Sequence, residues 1–130
     1  MAKINHLEMG AEVLALDNIA VKKGFMGWSI KLIYKPTQSI VRIKEKEFSA
    51  EDGRRLESIL TTEPENLEEA IRKFPVSAMS MGNMKLQACL SEDFQFAAVQ
   101  LLGYKDFDYK PVTEVHIYEG AAAKAISRLF

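Results

Sequence analysis

FSAEDGRRLESILTTEPENLEEAIRKFP, residues Phe48 to Pro75, decides the fold, because it sets two helices in the middle of a chain otherwise patterned as strands. Ser49 precedes Ala50, Glu51 and Asp52, so its hydroxyl can cap an orphan amide while Asp52 sits in the first turn. Leu56, Ile59 and Leu60 form a one-sided apolar stripe at helical spacing. Thr62 with Glu65 has the spacing of a capping box, and Pro64 is tolerated in a first turn, where its missing amide costs nothing. Leu67, Ala70, Ile71 and Phe74 then recur at i, i+3, i+4 and i+7 until Pro75 stops the run. Glu63, Glu65, Glu68 and Glu69 precede Arg72 and Lys73, a charge order that suits the helix dipole. The expectation is a two-helix hairpin over 49–74, laid on a sheet.

Outward from this hairpin the pattern changes to a period of two. Upstream, Val13–Leu16 and Ile19–Val21 look extended, with Asp17-Asn18 as a turn or bulge between them. Trp28, Ile30, Leu32 and Tyr34 alternate with Ser29, Lys31, Ile33 and Lys35, the pattern of a half-buried strand. After a turn at Pro36, Val41 and Ile43 alternate with Arg42, Lys44 and Lys46. Downstream, 76–81 and 84–90 flank Gly82-Asn83, which suits a hairpin turn. Phe94 to Leu102 is apolar on both faces, and 103–111 is an acidic, aromatic loop. A last strand over 112–118 leads through Gly120 into an Ala-rich helix carrying Ile126, Leu129 and Phe130, too short to persist undocked. The predicted order is three strands, two helices, four strands and a C-terminal helix: an α+β fold of antiparallel sheet, with residues 1–130 as a single domain.

The 130 residues suffice for one core, and a net charge of −1 exerts no global pull toward nucleic acid or membrane. The charges are segregated, however. Residues 22–55 hold nine Lys/Arg against four Asp/Glu, while residues 56–119 hold five against eleven. A single cysteine, Cys89, allows no intrachain disulfide and fits a reducing compartment. With no long apolar N-terminal run and no stretch of membrane-spanning length, a cytoplasmic protein without a membrane association is expected.

Three surfaces or sites compete. Phe94, Phe96, Ala97, Val99 and Leu101, with Ala122 of the Ala-rich helix, would form a homodimer or protein-partner interface if one face of that strand stays uncovered, and a central core strand if both are covered. A small non-catalytic binding protein acting through this surface is the leading expectation. Lys22, Lys23, Phe25, Trp28, Lys31 and Lys35 interleave cations and rings as a single-strand nucleic-acid surface requires, and meander, helix and hairpin is the element order of an OB-fold. Against it, Trp28 and Tyr34 share a face with Ile30 and Leu32 rather than with the lysines. A third possibility is a small-ligand or enzymatic pocket near His116, Cys89 or Tyr109, if these meet in space. Met79, Met81 and Met84 fit core filling better than soft-metal binding, so neither metal nor cofactor is expected.

Overall fold

The computed structural model describes residues 12–23, 30–74 and 83–130. It is an α+β fold in which one curled antiparallel sheet carries helices on its outer face. The strands are β1 (Ile19–Lys23), β2 (Ile30–Tyr34), β3 (Ser39–Phe48), β4 (Met84–Ser91), β5 (Phe96–Lys105), β6 (Asp108–Pro111) and β7 (His116–Glu119). The helices are α1 (Ala50–Leu60), α2 (Pro64–Arg72) and α3 (Ala121–Ser127). The sheet order is β1-β2-β3-β4-β5-β6, and β7 pairs with the same edge of β5 further along.

The helical hairpin forms where its spacing predicts, with one change at the second cap. Ser49 Oγ accepts from the Asp52 amide at 3.1 Å, as expected of an N-cap. Thr62 is not the cap of α2: its hydroxyl donates back to the Ser58 carbonyl at 3.1 Å, and Glu63 takes the N-cap position without a side-chain bond. Leu56, Ile59, Leu60, Leu67, Ile71 and Phe74 bury against Leu86, Ala88, Leu90, Ala97, Val99 and Leu101, the outer face of β4 and β5. The α3 residues Ala123, Ala125 and Ile126 complete this layer, the two alanines allowing close approach. Gly120, at φ +66°, turns β7 into α3 in a conformation that a side chain would resist.

The concave face has its own core of Val13, Ile19, Leu32, Tyr34, Val41, Cys89, Phe96 and Ala98. Curling brings the end of β2 over β5 and β7. The Tyr34 ring stacks on Phe96 at 5.2 Å, and its hydroxyl donates to Glu119 at 2.5 Å. Asn18 Nδ2 donates to the same carboxylate at 3.0 Å, so side chains clasp β7 to the start of β1.

Three boundaries differ from expectation. Residues 12–14 form a helical turn rather than a strand. Val13 is buried and Leu16 packs beside it while Leu14 is exposed, which is i, i+3 burial. The expected loop 103–111 is a hairpin, with β5 running on to Lys105 and β6 returning from Asp108. Its two-residue turn, Asp106-Phe107, has φ +55° and +66°, the left-handed pair of a type I′ turn without the usual glycine. The last strand is only 116–119, because Val112 and Thr113 bulge between β6 and β7. Thr113 Oγ1 there accepts from the Leu101 amide at 3.2 Å. The strand expected over 76–81 and its Gly82 turn lie outside the described residues.

Gly53 is buried inside α1, and a Cβ at that position would lie 2.9 Å from the Met84 Cβ. Gly53→Ala should therefore lower stability by about 1–3 kcal/mol through overpacking, despite its better helix propensity. Urea denaturation would check this; a stabilised variant would mean that α1 stands off from β4. Hydrogen bonding to Glu119, followed by burial, pushes the Tyr34 hydroxyl from 10 up to about 12. Because the folded value is raised, the clasp contributes fully below pH 10 and is lost as pH rises toward 12. Tyr34→Phe should cost about 1 kcal/mol at neutral pH, a difference that shrinks across that window.

Candidate functional site

Register turns scattered lysines into a row. Lys22 on β1 stands directly opposite Lys31 on β2. On the β2–β3 pair Leu32 faces Val41, so by alternation Arg42 joins Lys31 on the outer face. Lys44 and Lys46 continue along β3 on that face, Lys44 exposed and Lys46 half-buried. Lys22, Lys31, Arg42 and Lys44 are all exposed, and Lys22, Lys31 and Lys44 make no ion pair with any described residue. Arg42 is bridged to Glu92 at 3.2 Å. Lys46 is committed to packing, with Nζ 3.2 Å from the Leu129 carbonyl and 5.5 Å from the Phe48 ring centroid. Like charges directly opposite on a sheet are destabilising, so Lys22–Lys31 is a departure from the cross-strand rule.

Beside this row lies a hollow of about 290 Å³ lined by Arg42, Lys44, Leu90, Ser91, Glu92 and Phe94. Phe94 is half exposed (49%) and has φ +61°, a conformation that costs a bulky residue about 1–2 kcal/mol. The turn that holds it is pinned from several sides. Ser91 Oγ accepts from the amides of Gln95 at 3.0 Å and Phe96 at 2.9 Å, and Ser39 Oγ accepts from the Asp93 amide at 3.1 Å. At the Asp93 carboxyl, desolvation pushes the pKa upward. Hydrogen bonds from Thr37, Ser91, the Gln95 amide and Ser39 outweigh it, leaving the group below its usual range.

The other sequence-derived residues are placed as follows. Phe96, Ala97, Val99 and Leu101 are fully buried in β5, under the helices on one side and the curled sheet on the other. Of that set only Phe94 is exposed, and Ala122 is half-buried at the edge of the helix layer. Lys23 is exposed but falls on the opposite face from Lys22 by alternation, and Lys35 lies in the turn after β2. Phe25, Trp28, Met79 and Met81 lie outside the described residues. Met84 packs against the outer core.

His116 and Cys89 are not brought together. His116 faces Val99 on the helix side, stacked 6.4 Å from Tyr118, whereas Cys89 faces Ala98 on the concave side. Burial pushes the Cys89 thiol up to about 12, far from a reactive thiolate. Tyr109 donates to Glu47 at 3.2 Å and lies under the Lys85 ammonium at 4.2 Å. No three His, Cys, Asp or Glu among the described residues are grouped as a metal would require, and no described helix is long and apolar enough to cross a membrane. Compared with known proteins, the chain matches no family model, no curated protein and no solved structure.

What sequence reasoning missed was the row itself, along with the hollow beside Phe94. Alternation puts Arg42 and Lys44 on one face, but alignment with Lys22 and Lys31 depends on register between strands. Lys31→Glu should raise stability by about 0.2–1 kcal/mol at low salt, by replacing a repulsive pair with an attractive one. The gain should fade at high salt in denaturation curves; a variant less stable at low salt would contradict the repulsion.

Proposed function

We propose that this chain is a non-catalytic binding protein whose outer β1–β3 face takes single-stranded nucleic acid. The observation that carries this reading is the exposed row Lys22–Lys31–Arg42, extended along β3 by Lys44. Neighbouring strands are about 4.8 Å apart, so the row spreads three cations over roughly 10 Å, a span that long side chains can match to successive phosphates. Keeping Lys22 against Lys31 costs stability in the free protein, and a bound polyanion would relieve that cost. An exposed ring beside the cations, Phe94, favours a single strand over a duplex, since only unstacked bases present their faces. The attraction is local, because the whole chain carries a net charge of −1.

The homodimer or protein-partner reading keeps some support from Val21, Ile43 and Ile117, apolar side chains exposed on the strands of the concave side. A salt-insensitive dimer in light scattering would favour it.

Fluorescence anisotropy with a labelled oligo(dT) tests the nucleic-acid reading. Binding should appear at low salt and weaken as salt rises. Changing Lys22, Lys31 and Arg42 to Gln should weaken it further, making the log–log salt slope shallower by about 0.7 for each phosphate that is no longer neutralised. No binding at low salt would overturn the reading, and equal affinity for polyglutamate would replace nucleic acid with an acidic protein partner.

A further inference from the structure

We infer that Phe94 and the hollow beside it form a nucleobase subsite, in which one base of the bound strand stacks on the phenyl ring. The inference presupposes single-strand binding by the β1–β3 face and adds what that face does with the bases. Three independent features of the β4–β5 turn converge on it. The first is conformational: a residue at φ +61° is ordinarily Gly or Asn, and here it is Phe. Such strain persists only where surrounding structure over-determines it. Glu92 N donates to the Ile40 carbonyl at 2.8 Å, Phe94 N to the Ser91 carbonyl at 3.0 Å, and Ser91 Oγ takes the next two amides. Those bonds fix the backbone whatever side chain position 94 bears, so the turn itself does not require a ring.

The second feature is exposure. Phe96, two residues on, is fully buried beneath Tyr34, whereas Phe94 stays half exposed on the rim of a hollow of about 290 Å³. The third is the company it keeps. Arg42 and Lys44, members of the cationic row, line the same hollow, with Leu90 at its apolar floor. A ring for a base beside cations for its phosphate is the pairing that single-strand binding uses. The Arg42–Glu92 bridge lies at the same rim. A phosphate would take the Arg42 guanidinium in competition with Glu92.

The test compares an oligo(dT) with an abasic oligomer of equal length and charge, each bound to the parent protein and to Phe94→Gly. Glycine suits the left-handed backbone, so this variant should melt no lower than the parent, and weaker binding cannot be blamed on unfolding. The parent should prefer the base-bearing strand by on the order of tenfold. Phe94→Gly should bind both strands alike, with the parent's salt slope retained. A parent that binds both strands equally, in a manner that still depends on Lys22 and Lys31, would overturn the subsite while leaving the cationic face in place. Preference for bases persisting in Phe94→Gly would also overturn it. A parent that binds neither strand at low salt overturns the nucleic-acid reading, and the subsite with it.

Discussion

The structure depends on β5 being apolar on both faces. From Phe96 to Leu102 this strand presents Ala97, Val99 and Leu101 to one side and Phe96, Ala98, Gln100 and Leu102 to the other, all of them buried and only Gln100 polar. A strand of that kind needs two covers, and a single layer of helices provides one. The 48–74 segment and α3 cover the outer side. The second cover comes from the sheet itself, which curls until Tyr34 rests on Phe96 and its hydroxyl reaches Glu119. The helical turn at 12–14 adds Val13 to that second cover, so β5 is buried on both faces.

This division of labour also explains where the charged surface lies. Once β1 to β3 are committed to covering the concave side of β5, their backs turn outward. Those backs carry Lys22, Lys31, Arg42 and Lys44. Two local rules are broken nearby, one by the opposed lysines and one by Phe94 in a left-handed conformation. Sites that trade stability for function are where such departures are expected. A third departure, Phe107 at the tip of the β5–β6 hairpin with 93% of its surface exposed, has no neighbouring feature that assigns it a role.

Much of the fold is legible in the sequence because its signals are local. Leu56–Leu60 and Leu67–Phe74 carry the helical period, and Leu32–Tyr34 and Val41–Phe48 the strand period, over spans long enough to decide between them. The misread segments are short or lack turn chemistry. Glu12–Leu16 has too few residues to separate a helical turn from an extended one. Asp106-Phe107 gives no glycine to mark a tight turn, so β6 goes unseen. The candidate site is less legible still. Lys22 and Lys31 are nine positions apart, and Arg42 follows eleven later; only the β1–β2 and β2–β3 registers put them in line. The two-faced run from Phe94 shows the opposite limit: its composition is the same for a core strand and an interface, and coverage by distant segments separates them.

The sheet's margins have a further consequence. β1 ends one side with five residues that include Lys22 and Lys23, and the other side is divided between the four-residue β6, which ends in Pro111, and the four-residue β7. Exposed margins of a sheet are templates on which other chains can add, and short lengths, lysines and proline are the features that discourage such growth. A chain nearly half apolar, with one strand greasy on both sides, thus offers no long unguarded margin among its described residues from which a fibril could extend.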